Sequence, residues 1–125
     1  MSKQVDVGAL ADQVATYRYA YLMTVGDSGR VHAVAVHPTV SDGAVVVTEA
    51  GSRTLRNVAA RPAISLVWPP AADGGYSLIV DGDAQQDDGI LRIAPTRAVL
   101  HRAAALVIAG GALDEDACRA DCIEL

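Results

Sequence analysis

Residues 44–68 read AVVVTEAGSRTLRNVAARPAISLVW, and the change of period inside this stretch decides the fold. Ala44 to Thr48 is a nearly continuous run of Val, which favours a pleated surface. At Gly51-Ser52-Arg53 period two gives way to Leu55, Val58 and Ala59 at helical spacing. Pro62 then ends the helix by denying Arg61 the helical conformation, and Ala63 to Trp68 returns to strand. A short helix is thus inserted between two buried strands.

Upstream, Val7, Leu10, Ala11 and Val14 have the spacing of an amphipathic helix over 5–16 that lies as a lid. Tyr17 to Val25 alternates as a strand, and Gly26-Asp27-Ser28-Gly29 turns the chain into a second strand, Arg30 to Val40, apolar on both faces. Ser41-Asp42-Gly43 leads into the third, so that the first three strands are expected as a meander. Downstream, Tyr76 to Asp83 reads as a fifth strand, Gln85 to Gly89 as a polar turn and Ile90 to Ala94 as a sixth. Pro95-Thr96 opens a helix through Val107 that stops at Gly110-Gly111, with a short acidic helix from Asp114. The order β-β-β-α-β-β-β is that of a mainly β fold with short helices, a six-stranded antiparallel split β-barrel. The expected organisation is one domain, 1–125, with the barrel at 17–94 and C-terminal helices at 96–125.

A chain of 125 residues sustains one hydrophobic core. The composition is 51% hydrophobic and 20% charged, which excludes a disordered segment, and with no Phe the core must rest on Val, Ala, Leu and Ile. So thin a core favours burial of an apolar face against a second copy, a homodimer. The net charge of −5 argues against nucleic acid, which clustered Lys and Arg hold. No run approaches the roughly 18 apolar residues of a membrane helix, and the start lacks the apolar core of a signal peptide, so the expected location is the cytoplasm. Cys118 and Cys122 read as plain reduced thiols, and no metal is assigned: Asp81, Asp83, Asp87 and Asp88 lack the spacing of a calcium loop.

The strongest chemical signal is Thr48 to Asn57. A strand end feeds a Gly-Ser turn and a helix start bearing Arg53 and Arg56. Helix N-terminal amides, hydroxyls and guanidinia together make an anion cradle. Ser52 as a simple N-cap with solvent-facing arginines is the alternative reading of the same residues. No catalytic triad, phosphate loop or zinc-hydrolase helix is present, so hydrolysis lacks its residues, whereas a redox cofactor brings its own chemistry.

In its order of segments the chain resembles the pyridoxamine 5′-phosphate oxidase-like FMN-binding split barrels, which include flavin/deazaflavin oxidoreductases. The likeness runs from Tyr19 to about Ala84. It takes in Gly29-Arg30-Val31-His32-Ala33-Val34-Ala35-Val36, Asp42-Gly43, Val45-Val46-Val47-Thr48, Gly51-Ser52-Arg53, Arg56-Asn57-Val58, Arg61 to Leu66 and Val80 to Ala84, and extends to Ala94-Pro95-Thr96-Arg97-Ala98-Val99. The resemblance implies a phosphate held by Ser52, Arg53 and Thr54, with Thr48 nearby. Thr54 stands where many relatives carry Lys, and Arg56, one turn on, is the candidate to compensate. His37 is then expected near the cofactor ring, and Trp68, with Tyr76, as a wall against it or as part of a dimer face. Arg97, His101 and Arg102 would line the late helix toward a partner's cofactor or toward solvent.

The implied cofactor is FMN or the deazaflavin F-420, in preference to FAD. The implied function is an oxidoreductase moving a hydride to or from a small organic substrate. A non-catalytic flavin or deazaflavin carrier, a decayed structural dimer and a haem-handling relative are the alternatives.

Overall fold

The computed structural model describes residues 2–103. In chain order the elements are β1 (Ser2–Gln4), a 3-10 turn (Val7–Ala9) running into α1 (Leu10–Val14), β2 (Ala20–Val25), β3 (Val31–Val36), β4 (Thr39–Ser41), β5 (Ala44–Val47), α2 (Ser52–Ala60), β6 (Ala63–Trp68), β7 (Ser77–Asp87) and β8 (Ile90–His101). The mainly β class with short helices holds. The expected acidic helix from Asp114, Cys118 and Cys122 lie outside the described residues.

All strand pairs are antiparallel, in the order β3-β2-β6-β7-β8-β5-β4, and β1 pairs with β8. The long β8 therefore serves two partners. Its start carries β5, through Leu91 to Ile93, and its end carries β1, through Val99 to His101.

This arrangement corrects the expected six-stranded split barrel: among the described residues there are eight strands, and the sheet they form is not closed into a barrel. Its terminal strands, β3 and β4, pair only with β2 and β5 and not with each other. The cause is Pro38, which has no N–H to donate and interrupts the expected strand 30–40. The chain leaves one edge of the sheet at Val36 and restarts at Thr39 on the other, so the expected three-strand meander is split.

Alternation places Leu22, Leu66, Trp68, Leu78, Val80, Leu91 and Ile93 on one face, where they form the core with Val36, Val45 and Val47. Leu10 and Val14 of α1 close one part of it, against β4, and Val58 of α2 closes another. The opposite face of β2, β3, β6 and β7 carries Tyr21, Met23, Val25, Val31, Ala33, Ala35, Val67 and Ile79 outside the core, with Tyr21 40% and Val31 64% exposed.

A second correction concerns residues 95–101, expected as helix and found as the second half of β8. A β-bulge explains why Pro95 is tolerated there. The register passes from Asp81↔Arg97 to Gly82↔Pro95, so Thr96 is the extra residue and the missing N–H of Pro95 falls at the irregularity. Gly82 is required at the same place, since a Cβ would lie 2.6 Å from the Ala94 carbonyl oxygen. Gln85 to Asp87, expected as turn, extend β7, and the chain reverses at Asp88-Gly89, both at positive φ. Among the described residues no helix is long and apolar enough to cross a membrane.

Candidate functional site

Helix α2 begins after Gly51, which is extended and offers no side-chain cap, and Ser52 is its first helical residue. Helical spacing turns Thr54, Asn57 and Val58 inward and leaves Arg53 and Arg56 exposed. The exposed arginines face the β2–β3 turn, which Gly26 and Arg30 close by a 3.0 Å backbone bond. Arg61, just past the helix, reaches back to Asp27 in that turn with Nη1 to Oδ1 at 3.0 Å.

Between turn and helix lies a hollow of about 560 Å³, walled by Asp27, Ser28, Arg30, His32, Arg53 and Arg56, with Asn57 beneath. Among the described residues none of the guanidinia of Arg30, Arg53 and Arg56 has an ion pair, while the carboxylate of Asp27 is engaged by Arg61. The hollow thus holds three unneutralised positive charges in a chain of net charge −5.

Its floor is polar. Asn57 is 7% exposed and its Nδ2 donates to the buried Oγ1 of Thr24 at 3.0 Å. Its Oδ1 has no partner among the described residues and lies close beneath the Gly26 backbone. An amide flip exchanges the two roles, because the Thr24 hydroxyl both donates and accepts. Asn57 can therefore offer the hollow either an oxygen or an N–H donor.

Val31 also lines a second concavity, a groove of about 520 Å³ on the outer face of the sheet. Met23, Val25, Val67 and Ile79 form its apolar walls, and Ser65, Asp81, Asp83 and Thr96 supply the polar atoms. Ser65 Oγ donates to Asp81 Oδ1 at 2.6 Å, Arg97 Nη1 approaches Asp81 Oδ2 at 3.5 Å, and the Thr96 hydroxyl donates to the Asp81 carbonyl at 3.2 Å.

The residues expected at a cofactor therefore separate. Arg53 and Arg56 line the hollow together. Thr48 and Ser52 are exposed but outside its lining, and His37 is exposed with its backbone N–H donating to Glu49 Oε1 at 3.0 Å. Two expectations are corrected by burial. Thr54, 1% exposed, faces the interior with an unpartnered hydroxyl, and Trp68, 1% exposed, is a core residue that no ring can stack on. Tyr76 lies elsewhere, its ring 5.0 Å from both Lys3 Nζ and the Arg102 guanidinium. Arg97 and His101 are on β8, not on a helix.

Arg30 and Asn57, both inside stretches that carried the resemblance, were missed as site residues. Arg30 directly follows a Gly-rich turn, and Asn57 lies one helical turn beyond Arg53, a spacing that makes the two neighbours along one side of the helix.

No family model matches the chain. Two mycobacterial proteins, one from Mycobacterium bovis and one from Mycobacterium tuberculosis, both named as uncharacterized, are each 44% identical to it over 120 residues, covering 83% of this chain and 84% of theirs. Among solved structures, a FAD-binding protein of Mesorhizobium loti superposes with a TM-score of 0.64 at 13% identity, covering 80% of this chain and 96% of that one. A putative pyridoxamine 5′-phosphate oxidase of Listeria innocua gives 0.60 at 11% identity, over 75% and 96%. An F-420 reductase gives 0.56 at 17% identity, over 64% and 87%.

Proposed function

The chain belongs to one family with the two mycobacterial proteins and has the fold of the pyridoxamine 5′-phosphate oxidase-like flavin-binding superfamily; from that premise we propose that it is a flavin- or deazaflavin-dependent oxidoreductase. The observation that carries this reading is the hollow at α2. Three guanidinia without ion pairs among the described residues surround a buried amide whose oxygen has no partner among them, and an apolar groove adjoins it through Val31. A cationic cradle beside an apolar slot suits a ligand with an anionic tail and a planar apolar ring.

In this reading Arg53 and Arg56 grip the phosphate from the helix side and Arg30 from the turn. The Asp27–Arg61 pair holds the turn against the helix, and Asn57 donates its amide N–H upward after the flip. Met23, Val25, Val67 and Ile79 support the ring and keep water from its underside. When bound, a flavin or deazaflavin supplies the two-electron redox chemistry, and the chain's task is to bind, orient and shield. The apolar outer face around Tyr21, Ala33 and Ala35 is where a second copy docks, roofing the groove in a homodimer.

Titration of the purified chain with FMN, F-420 and FAD, followed by absorbance and fluorescence, tests the reading. FMN or F-420 is expected to bind at micromolar concentration and in preference to FAD. If none of the three binds, the proposal fails.

A further inference from the structure

An imidazole, that of His32, stands in the wall of the hollow at α2. Cross-strand register sets His32 opposite Thr24, on the face of β2 and β3 that α2 covers, so its ring lies beside the Asn57–Thr24 pair of the floor. The residue is half-buried, and neither ring nitrogen has a hydrogen-bond partner among the described residues. The charged groups that line the hollow with it are Arg53 and Arg56 from α2 and Asp27 and Arg30 from the β2–β3 turn, with Asp27 already engaged by Arg61; β2 faces it with the uncharged Thr24.

Imidazole is the side chain whose charge ordinarily changes between about pH 5 and pH 8. Neutral, it offers one donor and one acceptor; protonated, it offers two donors and a charge. A phosphomonoester is a dianion above about pH 7, since its second ionisation lies near pH 6. Two negative charges placed about 5 Å from the ring favour the imidazolium by roughly tenfold even at the dielectric of water. The sign of that effect does not depend on the guanidinia, which are present with and without the ligand. What the guanidinia do is hold the phosphate doubly ionised, so that an incoming proton settles on the ring and not on the anion.

We infer that His32 is a further binding residue of this hollow: it takes up a proton from solvent as a phosphomonoester enters, and the protonated ring donates a hydrogen bond to the bound anion. The inference rests on the cofactor reading above for the identity of the anion. It deepens that reading by naming the tail the site prefers. FMN ends in a monoester that carries two charges, whereas in FAD and F-420 each phosphate is bridged on both sides and carries one. Because the complex holds more protons than the free chain, affinity rises as pH falls.

The test is calorimetric titration of the full chain with FMN at pH 7 in two buffers of different ionisation enthalpy, which counts protons, together with dissociation constants measured from pH 8 to pH 6.5. Since one linked proton changes affinity at most tenfold per pH unit, uptake of about half a proton or more per FMN and an affinity about five- to tenfold higher at pH 6.5 than at pH 8 are expected. His32→Gln, neutral at every pH, should take up no proton and lose the slope. His32→Lys, charged throughout this range, should likewise bind without uptake and without slope. The methyl ester of FMN, with one charge on its phosphate and the flavin unchanged, should bind the unaltered chain more weakly and with smaller uptake. Binding of FMN without proton uptake overturns the inference, as does uptake that persists in His32→Gln. Either result leaves the phosphate cradle standing if FMN binding still depends on Arg53. If FMN, F-420 and FAD all fail to bind, the cofactor reading falls and this inference with it.

Discussion

Removing the Arg53 guanidinium separates a binding site from a scaffold. Arg53 is exposed, lines the hollow and has no ion pair among the described residues, so Arg53→Ala takes nothing from the folded chain that burial or pairing had stabilised. Its melting temperature without cofactor is expected to stay within the change of about 0.5 kcal/mol typical of surface substitutions. Hydrogen bonds to charged groups contribute about 1.5–3 kcal/mol each, and about 1.4 kcal/mol is one power of ten. FMN affinity is therefore expected to fall about 10- to 150-fold, read by fluorescence titration. Arg53→Lys keeps the charge without the planar fork and should fall between. Because the cradle is open to solvent, affinity should also weaken as salt shortens the screening length from about 10 Å at 0.1 M toward 3 Å at 1 M, and less steeply in Arg53→Ala. Unchanged FMN binding by Arg53→Ala refutes the cradle. So does a loss matched by an equal fall in thermal stability, which would make Arg53 a structural residue.

Four further outcomes follow from the geometry. Thr54→Val replaces a buried, unpartnered hydroxyl by a methyl of similar shape and should raise stability by about 1 kcal/mol, seen as a higher melting temperature. Asn57→Leu leaves Thr24 Oγ1 without its 3.0 Å partner and should cost about 1–3 kcal/mol in urea unfolding, together with a loss of FMN affinity. Gly82→Ala drives a Cβ to 2.6 Å from the Ala94 carbonyl oxygen and 2.8 Å from Ile93 Cγ2, so β7 and β8 must part locally; a loss of about 2 kcal/mol or more is expected by the same unfolding assay. Burial raises the Tyr17 hydroxyl above its ordinary pKa of 10.0, against a smaller opposing effect of a Gln13 hydrogen bond, and the hydroxyl donates to the Tyr76 carbonyl at 3.0 Å. The folded state thus prefers the protonated phenol: its stabilisation is complete below pH 10 and is lost as pH rises through the higher folded value. Tyr17→Phe should flatten the alkaline limb of a stability–pH curve.

The sequence revealed some of this well and some not at all, for reasons visible in single residues. Helix α2 was legible because Gly51 and Pro62 bracket it and because Leu55 and Val58 change the period, and its two exposed arginines followed directly. Burial of Trp68 was legible in principle, since Ile64, Leu66 and Trp68 share one strand face, but an aromatic beside Pro69-Pro70 draws attention as a surface residue. Thr54 misled because its place within Ser-Arg-Thr outweighed its helical phase with Asn57 and Val58. Pro38 and Pro95 show the limit from opposite sides. The first broke a strand that alternation alone continues, and the second sits inside a strand because a bulge at the adjoining Thr96, opposite Asp81 and Gly82 of β7, receives it. A bulge is a property of two paired segments, and one segment read by itself does not contain it.

The pairing of Ser2 with His101 has a consequence for how the protein is made. During synthesis β1 cannot be seated until β8, almost a hundred residues later, has left the exit tunnel. That ladder is among the most distant in sequence, so its formation is governed by non-local pairing. The same pairing ties the start of β1 to the end of β8, so substitutions that weaken this ladder are a natural probe of that order of assembly.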